Sequence, residues 1–135
     1  MAHEIQERER EGITILDFKG RIVAGPESTA LRDKTSELNA AGKRNVVLNL
    51  KDVDYIDSTG LGSLVVCVTG MRRNGGNIKL ENLNRRNIDL LAMTKLYTVF
   101  EVFNDEQDAV NSYYPDRKVK PFDILAFVQQ MKKEE

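Results

Sequence analysis

The chain has 135 residues, 30% charged and 41% hydrophobic, which suits one folded domain and argues against disorder. Its 20 Lys and Arg residues nearly balance its 21 Asp and Glu residues, so the net charge of -1 argues against direct nucleic-acid binding. One Cys, one His near the N-terminus and no apolar run of membrane-spanning length argue against a metal site, His-based catalysis and membrane insertion, so we expect a cytoplasmic protein without a cofactor.

The first third of the sequence predicts a β-hairpin, a helix and a buried strand. Residues 4–10 and 13–18 have strand composition and are separated by a short Glu-Gly turn, which is typical of an antiparallel hairpin. Pro26 begins a helical pattern that ends at Gly42, where a C-terminal cap glycine is expected. Residues 45–50 contain a continuous apolar run, which is typical of a strand covered on both faces.

The rest of the domain alternates helices with strands. Apolar residues within 61–71 repeat at helical spacing, and a short strand-like segment follows them. Asn84 is placed to cap a third helix, residues 99–103 have strand composition, and Asn104 with Gln107 resembles a capping box before a fourth helix. The resulting β-β-α-β-α-β-α-β-α order predicts an α/β fold with a mixed, mostly parallel sheet.

The C-terminal part extends past this α/β unit. The sequence Tyr113-Tyr114-Pro115 ends the unit, so we predict a domain over residues 1–112 and an extension over residues 113–135. Within the extension, residues 121–131 form an amphipathic helical pattern. This helix either covers apolar surface of the domain or binds a partner or a second copy. We expect a monomer, with this helix as the route to a weak dimer.

The segment from residue 71 to residue 95 is basic. Its six cations outnumber two carboxylates, Glu81 and Asp89, and give a local charge of +4. The six cations are Arg72, Arg73, Lys79, Arg85, Arg86 and Lys95. A solvated surface at helix ends is the first interpretation of such a run, and a partner-facing patch is the alternative.

The most informative segment runs from Asp57 to Gly62. Ser58 lies at the predicted start of a helix, where its hydroxyl is expected to act as the N-cap. Capping does not explain Gly60 and Gly62, because each glycine costs a helix about 1 kcal/mol relative to alanine. Because glycine has no side chain, these two positions also leave the helix backbone open to close approach by another protein.

A phosphate on Ser58 suits this position physically. The N-terminus of a helix presents unpaired N–H groups and a partial positive charge, which favour an anion. A phosphoryl group would add about -1.5 to -2 charges at neutral pH. The added charge would lie near Asp52, Asp54 and Asp57, so like-charge repulsion would oppose the docking of a partner. A hydroxyl here is therefore a plausible switch.

The segment and its context resemble the STAS domain of bacterial anti-sigma-factor antagonists. The resemblance rests on residues 46–50 (VVLNL) followed by residues 57–62 (DSTGLG), on residues 16–22 (LDFKGRI) and on Gly75-Gly76 before a strand. It covers about residues 4–112 and implies the STAS fold, a mixed, mostly parallel sheet packed with helices. The chain would then carry an additional C-terminal helix.

The resemblance also implies a function. In that family the unphosphorylated antagonist binds an anti-sigma factor that is also a serine kinase, and this frees a sigma factor to join RNA polymerase. Phosphorylation of the serine after the motif aspartate separates the complex, and a metal-dependent phosphatase of the PPM type restores the active form. The implied phosphorylation site is Ser58, with Thr59 as the second choice. The implied partner-binding residues are those of the motif: Asp57, Ser58, Thr59, Gly60, Leu61 and Gly62.

Two other functions stay open. The additional amphipathic helix motivates a STAS-fold structural or scaffold subunit of a stress-sensing or lipid-transport complex. The α/β layout alone favours a nucleotide-binding domain, since the sequence has neither a P-loop nor a G-x-G-x-x-G fingerprint. A serine hydrolase is not favoured, because the segment is not a G-x-S-x-G elbow and offers no suitable His, so we predict no catalytic residue.

Overall fold

The computed structural model describes residues 3–134. Its five strands are β1 (Glu4–Arg10), β2 (Ile13–Ile22), β3 (Asn45–Ile56), β4 (Asn77–Glu81) and β5 (Val102–Phe103). Its five α-helices are α1 (Pro26–Ala40), α2 (Ser58–Arg73), α3 (Arg85–Thr94), α4 (Glu106–Asn111) and α5 (Ile124–Glu134). A 3₁₀ helix, Leu96–Thr98, follows α3.

The five strands form one sheet in the order β1-β2-β3-β4-β5. β1 and β2 pair antiparallel, as the short turn between them predicts, and the other neighbours pair in parallel. Because parallel strands end at the same edge, α1, α2 and α3 all begin beside one another at the carboxyl edge of the sheet. This arrangement confirms the predicted fold class, a mixed and mostly parallel sheet packed with helices.

Alternation along the strands divides the core between the two faces of the sheet. One face carries the larger cluster, which α1, α2, α3 and α5 cover; strand residues at its centre are Leu16, Phe18, Val46, Leu48, Leu50, Ile78 and Leu80. The other face carries a smaller cluster beneath α4, formed by Ile13, Ile15, Val47, Phe103, Ala109 and Val110. Both faces of β2 and β3 are therefore buried, in agreement with the apolar run seen in the sequence.

Three local predictions were wrong. The strand predicted at 45–50 continues to Ile56, because its charged second half still pairs with β2. The strand predicted at 99–103 shortens to its last two residues, since the preceding chain forms the 3₁₀ helix. The cap of α4 is Asp105 rather than Asn104, with the Asp105 carboxylate accepting a hydrogen bond from the N–H of Asp108 at 3.3 Å.

The C-terminal extension is tied to the domain by hydrogen bonds and by helix packing. The Tyr113 hydroxyl donates to the carbonyl of Val46 at 2.6 Å and accepts from the N–H of the same residue at 3.2 Å. Farther along, α5 packs against α3 and buries Ile124, Val128 and Met131. The apolar side of α5 thus covers surface of the domain, which was the first of the two interpretations.

Candidate partner-binding site

The DSTGLG motif lies where β3 ends and α2 begins, at the carboxyl edge of the sheet. Asp57 has extended backbone geometry and is the N-cap of α2. One oxygen of its carboxylate accepts from the N–H of Gly60 at 2.7 Å. The other accepts from the N–H of Ala24 at 3.3 Å. A single carboxylate therefore caps the helix and fastens it to the loop between β2 and α1.

The predicted capping role of Ser58 was wrong. Ser58 is the first residue of α2, one position after the cap, and it is exposed. Within residues 3–134 no hydrogen bond involves its hydroxyl. The neighbouring Thr59 is exposed as well. Because the adjacent aspartate satisfies the helix start, the Ser58 oxygen can accept a phosphoryl group without the loss of a structural bond.

The two motif glycines have different roles. A Cβ atom at Gly60 would lie 1.9 Å from the carbonyl oxygen of Ile22, so only glycine allows α2 to begin this close to the end of β2. A Cβ atom at Gly62 would meet nothing within 4 Å, and this residue is exposed. The expectation that both glycines bare the helix surface therefore holds for Gly62, whereas Gly60 is buried and serves packing.

Leu61, one of the six predicted partner-binding residues, is buried and does not contribute its side chain to the surface. Its side chain is only 3% exposed and belongs to the larger core cluster. The surface that the motif offers consists of Ser58, Thr59 and Gly62, with Asp57 half-buried beside them. A partner that docks here would meet two hydroxyls and a stretch of bare backbone.

Arg86 of the basic segment also lies at this edge of the sheet, a position that the sequence did not indicate. The guanidinium of Arg86 stacks over the ring of Tyr55, 4.7 Å from its centre. The side chain of Asn84, the cap of α3, donates to the carbonyls of Val53 and Asp54 at 3.2 and 3.1 Å. The start of α3 is thereby held against the end of β3, and Arg86 reaches the edge that carries the motif.

Neither a metal centre nor a membrane segment is found in the part of the chain that the structure describes. No three or more His, Cys, Asp and Glu side chains among residues 3–134 are placed to hold a metal ion together. No helix in the same range has both the length and the apolar character needed to cross a membrane.

Comparison with known proteins agrees with this geometry. A sequence model of the STAS domain matches residues 4–109, which includes the sheet, the motif and the start of α4. The chain belongs to the STAS domain family. The match ends before the extension, so α5 lies outside the shared unit.

Individual relatives of this STAS domain are anti-sigma factor antagonists by name. The chain is 40% identical over 72 residues to the anti-sigma-B factor antagonist of Bacillus subtilis; the match spans 53% of this chain and 65% of that protein, just under two thirds. A candidate anti-sigma factor antagonist from Thermotoga maritima shares the fold with a TM-score of 0.74 and 20% identity, over 80% of this chain and 92% of its own. The phosphorylated form of the Bacillus cell fate determinant SpoIIAA has a TM-score of 0.63 and 15% identity, over 82% and 99% of the two chains.

On the opposite face of this STAS domain, a charged cluster that sequence reasoning missed holds α4 to the sheet. The guanidinium of Arg8 donates to Asp17 at 2.6 Å and to Glu106 at 3.0 Å. Arg10 also donates to Glu106, at 2.8 Å. Two cations thus balance two carboxylates, and the bonds from Arg8 and Arg10 lower the pKa of Glu106. The members come from β1, β2 and α4, so no local spacing in the sequence indicates the cluster.

Glu81 is the additional acid in this charged cluster. It is fully buried at the end of β4, and its Oε2 atom accepts from the side chain of Asn82 at 3.0 Å. Its Oε1 atom meets no donor among residues 3–134. Burial, together with the neighbouring Glu106 carboxyl, raises the pKa of Glu81 to about 9. Burial therefore favours the neutral, protonated form of Glu81.

The basic segment at residues 71–95 separates into two parts. Lys79 is 6% exposed, and its ammonium group donates to the backbone and side-chain oxygens of Ser112 at 3.1 and 2.9 Å. Burial lowers the pKa of this ammonium group. Lys79 therefore ties the end of α4 to the sheet and is not part of a solvated surface. Arg85 and Arg86, in contrast, are exposed at the start of α3.

Proposed function

We propose that this STAS-domain protein is an anti-sigma-factor antagonist whose binding to an anti-sigma factor is switched off by phosphorylation of Ser58. The observation that carries the proposal is the division of roles at the start of α2. Asp57 caps the helix and Gly60 seats it, which leaves the exposed Ser58 hydroxyl without a structural bond among the described residues. The 40% identity to an anti-sigma-B factor antagonist supports the same assignment.

The unphosphorylated surface suits close docking. Ser58 and Thr59 offer small hydroxyl groups, and Gly62 lets a partner approach the helix backbone. Because the half-buried Asp57 is the one charged residue of the motif, a partner that packs on the motif loses few water contacts of charged groups when it binds.

Phosphorylation changes the same surface without disturbing the fold. The phosphoryl group brings about -1.5 to -2 charges to the first residue of α2, where the free N–H groups of the helix tolerate an anion. A partner packed against Ser58 would have to bury that charge or move away. The effect therefore falls on the complex rather than on the stability of the antagonist.

The proposed partners are those that the resemblance to anti-sigma-factor antagonists implies. The anti-sigma factor is a serine kinase that transfers the terminal phosphoryl group of ATP to the Ser58 oxygen, while the hydroxyl proton passes to a base of the kinase. A phosphatase of the PPM type then hydrolyses the phosphoserine with water and restores the hydroxyl. Neither step requires a catalytic residue from this chain.

Phosphorylation with the cognate anti-sigma kinase and ATP tests the proposal. Intact-mass spectrometry should show one added phosphate on the parent protein and on Thr59→Val, and none on Ser58→Ala. Size-exclusion chromatography should show that Ser58→Ala still forms the complex, whereas Ser58→Glu binds about tenfold more weakly because of its charge. Equal phosphorylation of Ser58→Ala and the parent would refute the site. Loss of phosphate from Thr59→Val alone would assign the second-choice residue instead.

A further inference from the structure

The extension builds a groove that the STAS unit alone does not contain. The family match ends at residue 109, whereas α5 begins at Ile124 and packs beside α3. The groove between the two helices has a volume of about 530 Å³. Its lining residues are Arg85, Arg86, Asp89, Val128, Met131 and Lys132.

The charge of this α3–α5 groove is unbalanced. Arg85, Arg86 and Lys132 face a single carboxylate, Asp89. None of these three cations forms a salt bridge within residues 3–134. Arg8 and Arg10 of the charged cluster beneath α4 are, in contrast, ion-paired. The groove therefore presents cations that are available to an anionic ligand, and such a field also steers an approaching anion.

Apolar side chains line part of the groove, although they are mostly buried. Val128 and Met131 line the groove and are each 8% exposed. Because the start of α3 lies beside the end of α5, the helices run antiparallel, and Met93 and Leu125 lie at the opposite end of the pair. Met93 is 75% exposed and Leu125 is 47% exposed, and these are two of the three most exposed large hydrophobic residues in the described chain. A ligand in the groove therefore meets the three cations and the small exposed parts of Val128 and Met131, and only a ligand that extends along the helix pair also meets Met93 and Leu125.

We propose that the α3–α5 groove docks an acidic segment of a partner protein, in which carboxylates alternate with apolar side chains. The carboxylates would pair with Arg85 and Lys132, and arginine matches a carboxylate with two parallel hydrogen bonds. The apolar side chains would cover Val128 and Met131. A concave groove with apolar lining takes up an inserted peptide better than the flat surface of an anionic membrane.

The position of this groove relates it to the motif. Arg86 lines the groove and also stacks over Tyr55, next to the end of β3 from which the motif begins. The docked segment and the Ser58 surface therefore share one edge of the sheet. Docking in the groove depends on charge at α3 and α5, and it does not require phosphorylation of Ser58.

Titration of the full-length, ¹⁵N-labelled protein with a synthetic peptide of repeated Leu-Glu-Glu units tests the proposal. The changes in amide chemical shift should be largest at the start of α3 and at the end of α5. The double variant Arg85→Glu with Lys132→Glu should bind at least about tenfold more weakly, because two attractive contacts become repulsive. The matched control, Lys43→Glu with Arg73→Glu, makes the same charge change at exposed positions away from the groove and should bind within about twofold of the parent.

Four results would overturn this proposal. In the first, the Leu-Glu-Glu peptide causes no change in amide chemical shifts. In the second, a peptide of repeated Leu-Lys-Lys units binds as tightly as the Leu-Glu-Glu peptide. In a third, the protein sediments with phosphatidylglycerol vesicles but does not bind the peptide. That result would assign the groove to a membrane surface. A fourth is a concentration-dependent dimer that the double variant loses, which would assign it to a second copy. The Ser58→Ala variant should bind the peptide like the parent, so failure of the phosphorylation switch would leave this result unchanged.

Discussion

Carboxylates fasten helices at two places in this molecule, and they do so differently. At the start of α2, the half-buried Asp57 carboxylate bonds to two backbone N–H groups and needs no cation. Beneath α4, the Glu106 side chain is only 15% exposed and bonds to Arg8 and Arg10. In the first arrangement one residue caps the helix, and the adjacent Ser58 hydroxyl takes no part in the bonds. In the second arrangement, Arg8 and Arg10 are both paired with carboxylates.

This difference indicates where a modification can act. In the charged cluster beneath α4, an added charge would break bonds that hold the fold. At the start of α2, the Ser58 hydroxyl is exposed and outside the capping bonds, so an added charge alters only the surface.

The largest effect is expected at Gly60. Gly60→Ala should lower the free energy of unfolding by about 3 kcal/mol, since its Cβ atom would lie 1.9 Å from the Ile22 carbonyl oxygen and α2 would have to move. Urea denaturation measures the change. Gly62→Ala is the matched control and should stabilise the protein by up to about 1 kcal/mol, because it has open space and a better helix propensity. Equal effects at both positions would contradict the separate roles of the two glycines.

Glu81→Gln should stabilise the protein by about 1–2 kcal/mol at pH 8, because glutamine keeps the shape and the donor of the neutral acid. The pKa of Glu81 is about 9 in the folded state, above its ordinary value of 4.5. Folding therefore binds a proton between these values, and the stability that Glu81 contributes is complete below about pH 4.5 and lost as the pH rises through about 9.

Thermal unfolding at several pH values measures this linkage. The parent should lose stability between pH 5 and pH 9 more steeply than Glu81→Gln, with the pH range set by the pKa shift of Glu81. Glu9→Gln, at an exposed position on β1, is the control and should follow the parent. Parallel curves for the parent and Glu81→Gln would show that Glu81 is charged in the folded state.

Asp57→Ala should destabilise the protein by about 1 kcal/mol, the usual cost of a lost N-cap. Ser58→Ala should change the free energy of unfolding by less than about 0.5 kcal/mol, as is usual for an exposed residue without a structural bond. Guanidinium denaturation of both variants measures the difference. A larger loss of unfolding free energy in Ser58→Ala than in Asp57→Ala would show that Ser58, and not Asp57, caps the helix.

The smallest effect on stability is expected from Ser58→Glu. The helix N-terminus favours the new charge and Asp57 opposes it, so stability should change by less than about 0.5 kcal/mol. The same variant should nevertheless weaken the complex with the anti-sigma factor, measured by calorimetry. Destabilisation above about 2 kcal/mol would show that the charge acts on the fold instead.

Much of the fold was predictable from local patterns. The alternating elements predicted the mixed sheet, and the short turn predicted its antiparallel edge, because periodicity and turn residues act within one segment. The end of β3 was not predictable in this way. Its charged residues have no apolar pattern, and they form a strand only because β2 continues beside them to Ile22.

Local patterns were enough to predict the fold class and to locate the motif, and the family resemblance made Ser58 the candidate phosphoacceptor. Three roles became visible in the folded structure alone: Asp57 caps α2, Gly60 allows α2 to pack closely against the backbone of Ile22, and Leu61 belongs to the core. The folded structure also shows that the Oε1 atom of Glu81 meets no donor among residues 3–134. The reason is that these roles depend on atoms brought together from distant segments, and the spacing of residues within one segment carries no information about them.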